Sequence, residues 1–137
     1  MSDDSTQAEE LLACAHAALD CAYAPYSGFR VGAAILLDDG RVFTGANVEN
    51  ASYGLTNCAE RSAIFRAIAE TPGGKIRIRA IVIDNAAGVH CSPCGACRQV
   101  IAEFSRPDTL VSYRGSTGIV TFTMRELLPD GFLLHPE

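Results

Sequence analysis

Thr56-Asn57-Cys58-Ala59-Glu60-Arg61, followed further along by Ser92-Pro93-Cys94-Gly95-Ala96-Cys97-Arg98-Gln99, decides how this chain is read. Cys58, Cys94 and Cys97 supply three thiolates for one tetrahedral Zn²⁺ and leave the fourth position to water, the pattern of catalytic rather than structural zinc. Glu60 stands beside that metal without ligating it. Water on zinc has its pKa lowered to about 7, and a carboxylate at hand can carry its protons. One zinc per chain is expected, because no second cluster of comparable ligands exists in the sequence.

Both segments read as loop-to-helix junctions. Ile64, Phe65, Ile68 and Ala69 share one side of a helix predicted from about Cys58 to Glu70. Cys97, Val100, Ile101 and Phe104 form a stripe on another, from about Cys94 to Phe104. Asn57 or Thr56 can cap the first helix, while Ser92 as N-cap with Pro93 at the first helical position starts the second. Partial positive charge at a helix N-terminus stabilises thiolate, the metal-binding form. Three thiolates leave the zinc site net negative, and Arg61 and Arg98 are placed to offset this by donating to sulfur. Plainer readings stand beside these. Glu60 can serve as capping-box partner to Asn57. His90, Cys91, Cys94 and Cys97 can form a closed structural zinc site, which leaves Cys58 unexplained.

Upstream, Leu11, Leu12, Ala15, Ala18, Leu19 and Ala22 fall at helical spacing, and Thr6 with Glu9 makes a capping box ahead of a helix from about Ala8 to Ala22. Cys14 and Cys21 on it read as small buried hydrophobes, and His16 and His135 as core or solvated histidines. Phe29 to Leu37 and Arg41 to Gly45 flank Asp38-Asp39-Gly40 as a hairpin, before a long loop from Asn47 to Asn57. Ala80-Ile81-Val82-Ile83 lacks alternation, as a strand covered on both faces does. Leu110 to Tyr113 and Ile119 to Phe122 are two further strands. Helices between strands imply parallel crossovers, hence an α/β architecture in which a mixed sheet is layered with helices.

The 137 residues suffice for a single domain spanning 1–137, with no internal repeat or linker. A net charge of −5, with 11 Lys and Arg scattered along the chain, speaks against nucleic acid as partner or substrate. No apolar run is long enough for a membrane span, and the polar, acidic N-terminus does not read as a signal peptide, so a cytoplasmic setting is expected.

Five blocks in order carry a family resemblance: Pro25 to Ala34, Gly45 to Gly54, Thr56 to Arg61, Pro93 to Gln99, and Leu127-Leu128-Pro129. Together the chain resembles the small cytidine deaminases of the three-cysteine zinc type, in which a non-ligating Glu acts as general acid and base. The resemblance implies a three-layer α/β/α fold with a five-stranded mixed sheet, a homotetramer with shared active sites, and deamination of cytidine and deoxycytidine in pyrimidine salvage. It implies Glu60 as the catalytic residue and Cys58, Cys94 and Cys97 as the zinc ligands. Phe29, Asn47, Glu49 and Ala59 match positions that contact the nucleoside, with Asn47 and Glu49 on the ribose hydroxyls. Ala51 and Tyr53 match positions that reach a neighbouring subunit's site, and Phe132 matches an aromatic that stacks on the base from another protomer. A deaminase of a cytosine nucleoside antibiotic such as blasticidin S shares the cysteine motifs, and a structural zinc-binding module is the reading from a different class.

Overall fold

The computed structural model describes residues 2–134, with side chains from residue 6 onward; His135 lies outside the described residues. The chain runs α1 (Ser2–Ala18, extended by a 3₁₀ turn Leu19–Cys21), β1 (Val31–Leu37), β2 (Val42–Ala46), α2 (Ala59–Ala69), β3 (Ile78–Asn85), α3 (Gly95–Glu103), β4 (Ser105–Gly115), β5 (Gly118–Thr123) and α4 (Met124–Leu127). The five strands form one mixed sheet in the order β2-β1-β3-β4-β5.

Strand alternation sorts two cores onto the two faces. Ala33, Ile35 and Leu37 of β1 join Ile81 and Ile83 of β3 against Ala63, Ile64 and Ala67 of α2 and Ile101 of α3. The intervening Ala34, Leu36 and Val82 pack on Leu11 and Ala15 of α1. Helices therefore cover both faces, and the expected three-layer arrangement is observed. It explains why β1 and β3 carry unbroken apolar runs.

Strand direction fixes where the helices begin. β1 is antiparallel to both β2 and β3. β2 and β3 consequently run the same way, with β1 between them. α2 follows β2 and α3 follows β3, so both helices start at the same edge of the sheet, beyond the carboxyl ends of those strands, where ligands bind in open α/β sheets. The β3–β4 pair is parallel across α3, as the crossover pattern predicts.

Several local expectations differ from the fold. α1 starts at Ser2, so Thr6 lies inside it and does not cap it with Glu9; a polar, Ala-poor start mimicked a cap within a helix that simply continues upstream. Cys14 is only half-buried and Cys21 is exposed in the 3₁₀ turn, because the α1 stripe facing the sheet runs through Leu11, Ala15 and Ala18. On α2 the buried stripe is Ala59, Glu60, Ala63, Ile64 and Ala67, with Ile68 partly buried; Phe65 and Ala69 face outward. Ala59 and Ala63 are core because only small residues fit where this helix presses on β2 at Gly45.

That pressure is visible at Gly45. A Cβ there would sit 2.4 Å from the Ala63 amide nitrogen and 2.8 Å from the Ala59 carbonyl oxygen. Helix backbone cannot yield as a flexible side chain can. Gly45→Ala is predicted to lower stability by about 1–3 kcal/mol, measured as a reduced urea midpoint. An unchanged midpoint would show that α2 does not depend on this close approach.

Candidate metal centre and active site

Cys58 is the N-cap of α2, with extended backbone (φ −79°, ψ 157°), and Cys94 is the N-cap of α3 (φ −67°, ψ 167°). Cys94 itself, rather than Ser92, caps α3: its Sγ accepts from the Cys97 backbone N–H at 3.4 Å, and Gly95 is the first helical residue. Pro93 lies just outside the helix, its buried ring stiffening the approach. For α2, neither Thr56 nor Asn57 is the cap; Asn57 Nδ2 instead donates to Ser62 Oγ at 3.1 Å. In both helices a cysteine occupies the N-cap position, and in α3 its sulfur meets one of the unpaired N–H groups.

Cys97, one turn into α3, completes the group. The sulfurs of Cys58, Cys94 and Cys97 all lie within 4.8 Å of one another. Zn–S bonds of about 2.3 Å in a tetrahedron require sulfurs about 3.8 Å apart, so one ion can bridge all three with small adjustment. Among the described residues the group includes neither His90 nor Cys91. The locally closed site is thus not the one that forms.

The electrostatics suit a cation. Arg61 Nη2 donates to Cys58 Sγ at 3.2 Å. Hydrogen bonding from the Cys97 thiol, then from Arg61 and Cys94, brings the Cys58 thiol down to a pKa of about 5, against the opposing effect of burial. Cys97 is pushed up, as the donor to that thiolate and by burial. Arg61 Nε is buried with no hydrogen-bond partner, and the Cys58 and Cys97 sulfurs raise the Arg61 pKa. A guanidinium edge left unpaired beside sulfur fits a cluster that carries more thiolate charge when metal is bound. Soft thiolate ligands select zinc over magnesium or calcium. Arg98 does not join this role. Its Nε donates to the Pro93 carbonyl at 2.8 Å and its Nη1 to the Leu127 carbonyl at 3.1 Å, so it secures the cysteine turn against α4 through main chain rather than sulfur.

Glu60, in the first turn of α2, is only 5 % exposed. Burial pushes its carboxyl from the ordinary 4.5 up to about 7, with the Cys58 thiolate adding to the rise; its own backbone N–H, Cys97 and Arg61 pull the other way. No capping hydrogen bond ties it to Asn57 among the described residues. A carboxyl balanced near neutrality can both take and return a proton.

The loop between β2 and α2 is closed by a two-way bridge, Val48 N–H to Asn57 O and Asn57 N–H to Val48 O, each 2.9 Å. This lays Asn47 and Glu49 alongside the segment that leads into Cys58. Asn47 is buried, donating from Nδ2 to the Phe29 carbonyl (2.8 Å) and accepting at Oδ1 from the Val31 N–H (2.9 Å). Glu49 Oε1 accepts from the Tyr26 and Ser27 backbone N–H groups at 2.9 and 3.1 Å, and Oε2 from the Ser27 hydroxyl. Phe29 is half-buried on the same segment, and Ala59 is fully buried between the Cys58 ligand and Glu60. Ala51 is exposed, Tyr53 is 88 % exposed and Phe132 is 69 % exposed, so these three are not drawn to the centre by their own chain. Sequence reasoning missed Ser27 and the turn around it; the signal was a Ser two residues before an amide it can accept from, a local hydroxyl-to-backbone turn.

Thiolate ligands and a proton-holding carboxyl gathered at one sheet edge define a zinc-dependent hydrolase. The profile of the cytidine and deoxycytidylate deaminase zinc-binding region matches residues 5–113. A cytidine deaminase of Halalkalibacterium halodurans is 54% identical over 112 residues, which cover 81% of this chain and 83% of that one. One of Sporosarcina psychrophila is 46% identical over 127 residues, 90% of each chain. The crystal structure of cytidine deaminase from Burkholderia pseudomallei aligns with a TM-score of 0.79 at 46% identity, covering 90% of this chain and 98% of that one. The chain belongs to the cytidine and deoxycytidylate deaminase zinc-binding family, and its cofactor is zinc.

A raised Glu60 pKa has a stability consequence. Its contribution to folding is complete below about pH 4.5 and is lost as pH rises through about 7, because the fold favours the protonated form. In metal-free protein, Glu60→Gln cannot ionise and is predicted to flatten this decline, ending above the parent at alkaline pH by up to about 3 kcal/mol. Urea unfolding of both proteins at about pH 5 and about pH 8 measures it. Parallel pH courses would show that Glu60 ionises as freely in the fold as in water.

Proposed function

We propose that this enzyme hydrolyses cytidine and deoxycytidine to uridine and deoxyuridine with release of ammonia, as a step of pyrimidine salvage. The observation that carries the reading is the Cys58, Cys94 and Cys97 cluster with the Glu60 carboxyl buried beside it. Relatives named cytidine deaminase over most of their length support it.

Zinc, when bound, supplies the Lewis acidity that makes a hydroxide nucleophile available at neutral pH. Glu60 moves the protons: its carboxylate takes one from water and delivers it to the ring nitrogen next to the amine-bearing carbon. It then takes the remaining proton from the hydroxyl added to that carbon and gives it to the departing amine, so that ammonia leaves as the carbonyl forms. Arg61 keeps Cys58 in its thiolate form and in place. Arg98 holds the turn that presents Cys94. Ala59 forms the wall between ligand and acid.

The sugar is assigned to the neighbouring loop. Phe29 packs against the nucleoside, and Glu49 accepts from the ribose hydroxyls. Asn47 has one N–H and one acceptor lone pair left after its two backbone contacts, enough to meet a hydroxyl. The Glu49 charge disfavours a phosphorylated substrate. Ala51, Tyr53 and Phe132 are proposed to complete a site on a neighbouring subunit of a homotetramer, which accounts for large apolar groups left open on the single chain. Among the described residues no helix is long and apolar enough to cross a membrane. All six cysteines are free, which suits a reducing compartment, and we place the enzyme in the cytoplasm.

A spectrophotometric assay with cytidine is the direct test. Glu60→Gln is expected to retain zinc while turnover falls at least about 10²-fold, since an amide cannot take and return protons. Retained turnover would reduce Glu60 to a packing residue.

The assembly has its own test. Phe132→Ala is expected to weaken cytidine binding about ten-fold or more with zinc content unaltered, because base stacking is worth about 1–3 kcal/mol. A fully active monomer in sedimentation, or unchanged kinetics in the variant, would show that each chain builds its site alone.

A further inference from the structure

We infer that Ser27 is the positioning residue that sets the Glu49 carboxylate for the sugar, and so governs how strongly the enzyme distinguishes nucleosides bearing ribose hydroxyls from those lacking them. This rests on the assignment of Glu49 to the sugar made above. The Ser27 hydroxyl is used twice. It donates to Glu49 Oε2 and accepts from the Phe29 backbone N–H at 2.9 Å. Gly28, at φ +73°, makes the turn that allows the second contact. The Tyr26 and Ser27 N–H groups meanwhile hold Oε1.

Glu49 is therefore gripped at both oxygens by one short turn: Oε1 is filled by two N–H groups, and Oε2 keeps a lone pair for one further donor. A carboxylate on a flexible three-torsion side chain would otherwise lose rotamer freedom when substrate arrives. Here that ordering is already done by the fold. The Ser27 hydroxyl is the largest influence holding Glu49 below the usual carboxylate range, so the charged, acceptor-only form is the one presented.

The same turn carries Phe29, whose carbonyl is held by Asn47 and whose N–H is held by Ser27. Phe29 keeps its carbonyl contact to Asn47 when the Ser27 hydroxyl is removed, so the effect of that removal is read through Glu49. The two backbone N–H groups are left when the hydroxyl is removed. Its loss frees Oε2 without unfolding the turn.

The test compares the parent with Ser27→Ala, Glu49→Gln and the double variant, on cytidine and on 2′,3′-dideoxycytidine. Ser27→Ala is expected to lower kcat/KM for cytidine about ten-fold, chiefly through KM, as loss of one hydrogen bond to a charged group does. With dideoxycytidine, or on top of Glu49→Gln, the same change is expected to matter less than about two-fold, since contacts that act as a unit are not additive. Equal losses on both substrates, or an undiminished Ser27→Ala effect in the Glu49→Gln background, would make Ser27 a structural residue and overturn the inference. If Glu49→Gln discriminates between the substrates while Ser27→Ala does not, this inference falls and the sugar assignment stands. If Glu49→Gln itself cannot tell the two nucleosides apart, the sugar assignment falls and takes the inference with it.

Discussion

Two helix N-termini meeting at one sheet edge is the constraint on which the rest depends. β2 and β3 run the same way because β1 opposes both, and this brings the starts of α2 and α3 together. Cysteines at the N-cap positions then converge, with Cys97 one turn further in. Helix N-termini favour anionic sulfur, so a metal cluster made of thiolates is placed where the backbone already opposes its charge. Arg61 answers part of the remainder at Cys58. Glu60 sits on the same turn and is buried beside thiolate rather than paired with a cation, which is why its proton is held to near neutral pH.

The loops that leave the sheet are shaped from behind. Asp84 at the end of β3 is almost fully buried and is gripped by Arg114 Nε at 2.9 Å and His16 Nδ1 at 3.0 Å. Burial raises the Asp84 pKa, but Arg114, His16 and the Asn85 N–H together hold it below the usual carboxylate range. Asn85 accepts from the Val89 N–H and donates to its carbonyl, and the Cys91 N–H donates to the Arg114 carbonyl at 3.0 Å. The segment that delivers Cys94 is therefore pinned to β3 and β4 before it reaches the metal. His16, expected to be solvated or core, is largely exposed yet tied to this buried acid.

Much of this was legible from residues. The two cysteine motifs named the three thiols that the fold gathers, the Ala80-to-Ile83 run named a strand covered on both faces, and the Cys97-to-Phe104 stripe named the face of α3. What was not legible has physical causes. Thr6 and Glu9 match a capping box in spacing alone, and spacing cannot tell the start of a helix from its second turn. Phe65 looked like core because it is large, but α2 presses so tightly on Gly45 that only Ala fits beneath. Ser92 has the better capping chemistry, yet the helix begins only at Gly95, so Cys94 stands at the cap and its sulfur meets the Cys97 N–H. Ser27 carried a local turn signal, but its partner Glu49 lies 22 residues on and is brought to it by the bridge in which Tyr23 N–H donates to the Asn47 carbonyl and the Glu49 N–H to the Tyr23 carbonyl, a contact spacing along the chain does not reveal.

The central claim is that three thiolates, and only three, hold zinc beside Glu60. X-ray absorption at the zinc edge of the purified enzyme measures the ligand set directly. Three sulfurs at about 2.3 Å with one oxygen at about 2.0 Å are predicted. A four-sulfur shell, which would recruit Cys91 and close the site, or a shell without sulfur would contradict the account.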